Sequence, residues 1–273
     1  MMKNLLPLFI FFIMMGTTAK ADNIPATQLF IDVIKPLETP VFELTPISGW
    51  GDIRFPASEQ EADVDNIILE GAFSQGMILA KYSKKTLLMT FAELEYTKDS
   101  EKFDYNNKAE LGLGIKLKHR VNKKFSFDVG VEYEWSYRPE TERTIKDLTV
   151  FTNWFGRWSL GSSCSYPGYT WGGMSYSISY HEDLELSGAI IQGVDWYSFG
   201  KVIVNSFVRF AYTLEPEDHW IHSHITYGIG SQLKVPVTDD GAATHIGFLF
   251  NQNKMLESGR AENRISSFVS WYF

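Results

Sequence analysis

A chain of 273 residues with a net charge of −8, 15% aromatic residues and a single cysteine excludes several classes at once. Nucleic-acid binding relies on clustered cations, so an acidic chain argues against it. A disulfide-stapled secreted scaffold needs cysteine pairs, and Cys164 stands alone, read here as a small residue near a turn with no activating His or Lys pattern beside it.

Residues 1–21, MMKNLLPLFIFFIMMGTTAKA, place Lys3 before an apolar run from Leu5 to Met15 and end on Ala19-Lys20-Ala21. This is the layout of a cleaved secretory signal peptide, and the run is too short to cross a bilayer as a helix. Its removal takes away Lys3 and Lys20 and leaves the mature chain still more acidic. Residues 22–65 hold Pro25, Pro36, Pro40, Pro46 and Pro56 and the acidic run EQEADVD, which predicts an extended N-terminal arm. VFELTPISGWGDIRF is its one candidate strand, and the arm is a candidate plug or first strand.

From Asn66 onward the chain becomes a series of apolar-alternating runs of about 10 to 17 residues, parted by short polar breaks. NIILEGAFSQGMILAKY, the turn SKK and TLLMTFAELEYT predict one tight hairpin; AELGLGIKLKH, VNKK and FSFDVGVEYEWSYR predict a second. In the last of these, Phe125, Phe127, Val129, Val131, Tyr133, Trp135 and Tyr137 share a face opposite Asp128, Gly130, Glu132, Glu134 and Arg138. DLTVFTNWFGRWSL sets Leu148, Val150, Trp154, Trp158 and Leu160 against Asp147, Asn153 and Arg157. MSYSISYH and the less regular LELSGAIIQGVDW follow. VIVNSFVRFAYTL sets Val204, Val208, Phe210 and Tyr212 against Asn205, Arg209 and Thr213. HWIHSHITYGIGSQLKV sets Ile225, Tyr227, Ile229 and Leu233 against His222, His224, Thr226, Gln232 and Lys234. HIGFLFNQN and RISSFVSWYF complete the chain.

The expectation is an all-β chain forming one antiparallel transmembrane β-barrel over 66–273. About twelve strands are predicted if the arm supplies one, with about ten as the fallback. Soluble strands average about 5 to 6 residues, whereas a tilted strand crossing a bilayer needs ~9 to 11, and these runs are of the longer kind. Tyr96, Tyr133, Trp135, Tyr137, Trp158, Tyr180, Trp196, Tyr212 and Trp271 fall near the ends of the apolar faces, where interfacial girdles lie.

The final run carries Ile265, Val269, Trp271 and Phe273 on one face. It resembles the C-terminal strand of Gram-negative outer-membrane β-barrel proteins, which end on an aromatic residue preceded by alternate apolar ones. The resemblance implies export, an outer-membrane location, contact with outer-membrane lipids, and a barrel-assembly machinery that reads Val269, Trp271 and Phe273. GVEYEWSYRPETE further resembles the barrel domains of exopolysaccharide-secretion and phage-adsorption proteins, which implies a link to envelope polysaccharide; no diagnostic motif is matched residue by residue.

With the apolar faces toward lipid, the opposite faces list the lumen: Glu93, Glu95, Lys116, Lys118, Asp128, Glu132, Glu134, Arg157, Arg209, His222, His224 and Lys234. Two readings stay open, a closed structural or surface barrel held by these charges and a narrow solute channel that uses them for selection. Gly112, Gly114, Gly71, Gly76, Gly130, Gly228 and Gly230 are predicted to make room inside the lumen. The alternative function is a lipid-modifying hydrolase using His222 or His224. Ser223 alternates away from both, toward lipid, where a nucleophile cannot reach its base. No metal or cofactor is expected, since no carboxylate motif accompanies the two histidines and no phosphate loop is present.

Overall fold

The computed structural model describes residues 42–56, 67–100, 107–161, 165–179, 184–215, 223–238 and 242–273. Its strands are β1 (Glu43–Leu44), β2 (Ser48–Pro56), β3 (Ile68–Lys81), β4 (Thr86–Asp99), β5 (Lys108–Arg120), β6 (Phe125–Arg138), β7 (Arg143–Leu160), β8 (Tyr166–Ser177), β9 (Leu184–Phe199), β10 (Val202–Leu214), β11 (His224–Pro236), β12 (Ala243–Met255) and β13 (Ala261–Tyr272). Each pairs antiparallel with its sequence neighbour from β2 to β13, and β13 pairs back onto β2. β1 and β2 both lie against β3, at Glu43↔Ile78 and Ser48↔Ser74, so together they make one interrupted stave of a closed twelve-stave barrel.

The closing stave lies inside the segment predicted as the arm. Pro46 and Ile47 interrupt it, which is why the sequence shows only a weak strand signal there. Residues 22–41 and 57–65, the rest of the predicted arm, lie outside the described residues, as do the predicted signal peptide and Cys164. At the seam, Phe273 N–H donates to Gly49 O (2.9 Å) and Gly49 N–H donates to Phe273 O (3.0 Å), while the Phe273 ring packs 5.9 Å from that of Phe73. Closure leaves no open edge, so every stave has two partners.

The faces separate as the alternation predicts. Ile115, Val208 and Ile229 on the outer wall are each more than half exposed, and Leu94, Leu113, Ile190, Ile246, Phe248 and Ile265 continue the band. So broad an apolar exterior has no counterpart on a soluble monomer; a bilayer is the medium that accepts it. Tyr96, Trp135, Tyr137 and Tyr212 ring one end of this band and Trp158, Trp196 and Trp271 the other. Connections are short at the end holding 82–85, 121–124 and 200–201, and longer at the end holding 100–107 and 215–223. Two bulges adjust the staves, with Leu79 extra on β3 and Trp196 extra on β9.

At two inward glycines the room left is taken by a ring lying flat against the backbone: a Cβ on Gly114 would fall 2.6 Å from the Phe91 ring, and one on Gly230 would fall 2.5 Å from the Phe207 ring. Gly71 is not a lumen residue at all, since it pairs with Tyr96 on the outer wall, under that side chain's hydroxyl. A Gly230→Val substitution is expected to destabilise the barrel by about 1 to 3 kcal/mol through overpacking. A lowered urea midpoint in lipid vesicles would register it, and an unchanged midpoint would refute the flat packing of Phe207.

Candidate functional site

Inward parity fixes which side chains can meet. On β4, β5 and β6 the register aligns Glu95 with Glu110, Glu93 with Gly112 and Gly112 with Glu134, while Glu134 pairs with Asp147 on β7. Glu93, Glu95, Glu110, Glu132 and Glu134 therefore gather in the half of the lumen nearer the long loops, within electrostatic range of one another. Lys108 tempers them through an ion pair with Glu110 (2.6 Å). Below this acidic patch, Lys116 bonds Asp128 (3.2 Å) and stands 4.6 Å above the Phe91 ring. Phe91 meets Phe151 edge to face at 5.9 Å, with Met89 buried beside them. Lys118 sits directly across from Asp128.

On the other side of the barrel a second apolar cluster forms from Ile191, Phe207, Leu249 and Phe268. Near the short turns, Asp195 is held twice, by Asn205 Nδ2 donating at 2.7 Å and by Lys234 Nζ at 3.0 Å, and Gln232 donates to Asn205 Oδ1 at 3.0 Å. On β2 and β3, Arg54 bridges Asp52 and Glu70.

Between the two packed clusters runs a stretch of wall that is not filled. Asn153, Phe155 and Arg157 of β7 and Tyr169 and Trp171 of β8 point inward by register, Phe155 opposite Trp171 and Arg157 opposite Tyr169, yet all five are exposed. Phe155 retains 48%, Trp171 42% and Tyr169 37% of its surface. Water-sized space therefore lies along β7 and β8 inside the barrel. Arg209 faces this track from β10, level with Ile191, within electrostatic range of Tyr169, Arg54, Asp52 and Glu70. Among the described residues neither Arg157 nor Arg209 has an ion-pair partner, and Arg209 Nε has no hydrogen-bond partner.

Of the residues singled out from sequence, Glu93, Glu95, Glu132 and Glu134 come together, Lys116, Lys118 and Asp128 come together, and Arg157 and Arg209 line the open track. His222 lies outside the described residues. His224 begins β11 on the inner face, across from Thr213 and Met255. The reading of Ser223 as lipid-facing is overturned: it is buried at the long-loop end, where its Oγ accepts from Glu215 N–H (3.0 Å) and donates to Glu215 O (3.2 Å), fastening the base of a loop. Val269 and Trp271 face outward on β13, and Phe273 follows at the seam.

Sequence reasoning missed Glu110 and Lys108, which strict parity along β5 would have found. It also missed Phe151, Phe155, Tyr169 and Trp171, because an inward aromatic residue looks like an error in an apolar-out pattern.

No family model and no curated protein matches the chain. Among solved structures, an outer-membrane channel from Pseudomonas putida aligns over 88% of this chain and 100% of its own at 9% identity and a TM-score of 0.41. LpxR from Salmonella typhimurium aligns over 83% and 100% at 8% identity and 0.39. The translocator domain of the autotransporter NalP from Neisseria meningitidis aligns over 90% and 93% at 11% identity and 0.37. Nothing about this chain's activity follows from likeness of this grade.

Among the described ion pairs Lys116–Asp128 is the most enclosed, with side chains 17% and 14% exposed against 19% and 18% for Lys234–Asp195. Lys116→Met is expected to cost about 2 kcal/mol, because Asp128 is left without its counter-charge. Adding Asp128→Leu is expected to recover part of that loss; strictly additive unfolding free energies would show that the pair does not couple.

Proposed function

We propose that the chain is an outer-membrane barrel that passes small solutes through the water-accessible track along β7 and β8. The observation that carries this reading is the run of five exposed inward side chains on the adjacent staves β7 and β8, beside the packed clusters around Phe91 and Phe207. A barrel of twelve staves is narrow enough for side chains to fill, so an unfilled strip is a feature of this particular interior. Its walls are unlike. The acidic patch of Glu93, Glu95, Glu110, Glu132 and Glu134 occupies the long-loop half, while Arg157 and Arg209 stand on the track nearer the short turns, and opposed charges along one lumen orient and select solutes in transit.

The exposed apolar band, the aromatic rings at its two ends and the short and long connections at opposite ends support a bilayer position with the short turns toward the periplasm. A second reading, a closed structural or surface barrel, draws support from the two apolar clusters and from the lumen ion pairs, which together reinforce the wall. Its function would then reside in the long loops.

Planar-bilayer recording separates the two. The channel reading expects small stepwise currents, a shift of selectivity toward cations in Arg157→Glu/Arg209→Glu, and larger steps in Trp171→Ala. Silent bilayers from a barrel that still shows heat-modifiable migration would overturn the channel reading in favour of the closed one.

A further inference from the structure

The outer wall carries one feature that solute passage does not use. At the short-turn end, where the β5–β6 turn meets β6, β7 and β8, a groove of about 530 Å³ opens on the outside of the barrel, lined by Asn122, Lys123, Lys124, Phe125, Gly156, Trp158 and Thr170, with Arg157 along its edge. Its floor belongs to the lipid-facing wall: Phe125 pairs with Gly156 and Gly156 with Thr170, all of outward parity. Gly156 sets the depth, since a Cβ there would fall 2.8 Å from the Phe125 ring and 3.1 Å from Thr170. Trp158 closes one side, its indole N–H donating to Gln192 Oε1 at 2.7 Å.

The rim above this floor is cationic. Lys123 and Lys124 are exposed, and Lys85 of the neighbouring turn reaches across to Val121 O (3.1 Å). Among the described residues none of these three lysines has a carboxylate partner. In a chain of net charge −8, such a concentration on two adjacent turns is a local reversal of sign. An apolar slot running into the bilayer with ammonium groups at its mouth has the shape and charge of an amphiphile's complement: acyl chain below, phosphate above.

We infer that this groove binds one anionic glycerophospholipid of the short-turn leaflet, its phosphate held by Lys123 and Lys124 and an acyl chain lying over Phe125, Gly156 and Thr170 beside Trp158. The inference rests on the membrane position proposed above and is independent of whether the lumen conducts. Bound there, the lipid spans the outer surface of β6, β7 and β8, the staves that include the open side of the lumen.

The test is native mass spectrometry of the folded full chain released from mild detergent, after incubation with phosphatidylglycerol or, separately, phosphatidylethanolamine. One retained phosphatidylglycerol per barrel is expected, with weaker retention of phosphatidylethanolamine. Lys123→Gln/Lys124→Gln is expected to weaken retention of phosphatidylglycerol about 25-fold, at roughly fivefold per lysine. Lys201→Gln, on a different turn of the same end, is expected to leave it unchanged. Gly156→Leu, which fills the slot but keeps the lysines, is expected to abolish it, and heat-modifiable migration reports whether each variant folds; the exposed turn variants carry the test if Gly156→Leu does not. Equal retention by wild type and the double lysine variant would overturn the inference, as would equal loss in Lys201→Gln. A chain that stays soluble without detergent would instead bring down the membrane position itself.

Discussion

The constraint on which everything else in this molecule depends is the closing of the hydrogen-bond ladder between β13 and β2. A backbone in hydrocarbon has no water to satisfy its N–H and C=O groups, and an open sheet would leave two full edges bare. Here Ser266↔Pro56 through Tyr272↔Trp50 join the ends of the sheet, and the mutual bonds of Gly49 and Phe273 finish the seam. Pro56 sits at the extreme end of its stave, where a missing N–H is least harmful. Once the ladder is closed, alternation has no freedom left: one set of side chains meets lipid and the other set meets its own opposite wall.

That second consequence gives the interior its character. Rings that point inward have two choices, to cross the lumen or to lie along it, and glycines on neighbouring staves decide for the wall. Phe91 over Gly114 and Phe207 over Gly230 take the flat course, each then joined by a second ring, Phe151 and Phe268. Phe155, Tyr169 and Trp171 instead keep large parts of their faces exposed. Charge follows the same division. Where carboxylates crowd, Lys108 and Lys116 are drawn in; where the wall stays open, Arg157 and Arg209 stand without described ion-pair partners.

Much of this architecture is legible in the sequence because period two is so strict. FSFDVGVEYEWSYR states both its faces outright, and the turns SKK and VNKK locate two hairpins. The closing stave is harder, since Pro40, Pro46 and Pro56 and the break at 45–47 hide nine paired residues behind a loop-like composition. The site is less legible than the fold. Polar residues on the inner face announce themselves, whereas Tyr169 and Trp171 are revealed only by pairing with Arg157 and Phe155, and Phe151 and Phe155 only by sharing the parity of Asn153 and Arg157. Ser223 shows the opposite failure, as extrapolating alternation one residue beyond β11 assigns it to lipid, although at the strand's end loop hydrogen bonds govern the backbone.

Inward residues of β7 and β8 meet water while outward residues of the wall meet lipid, and single cysteines measure that division most directly. In a Cys164→Ser background, Phe155→Cys, Tyr169→Cys and Trp171→Cys would be compared with Ile190→Cys, Val208→Cys and Ile229→Cys for reaction with a small, water-soluble, charged thiol reagent in membranes. Reaction of the first three and protection of the last three is the expected result. Protection of all six would contradict a water-accessible track, and reaction of the last three alone would contradict the assignment of the faces on which the whole description stands.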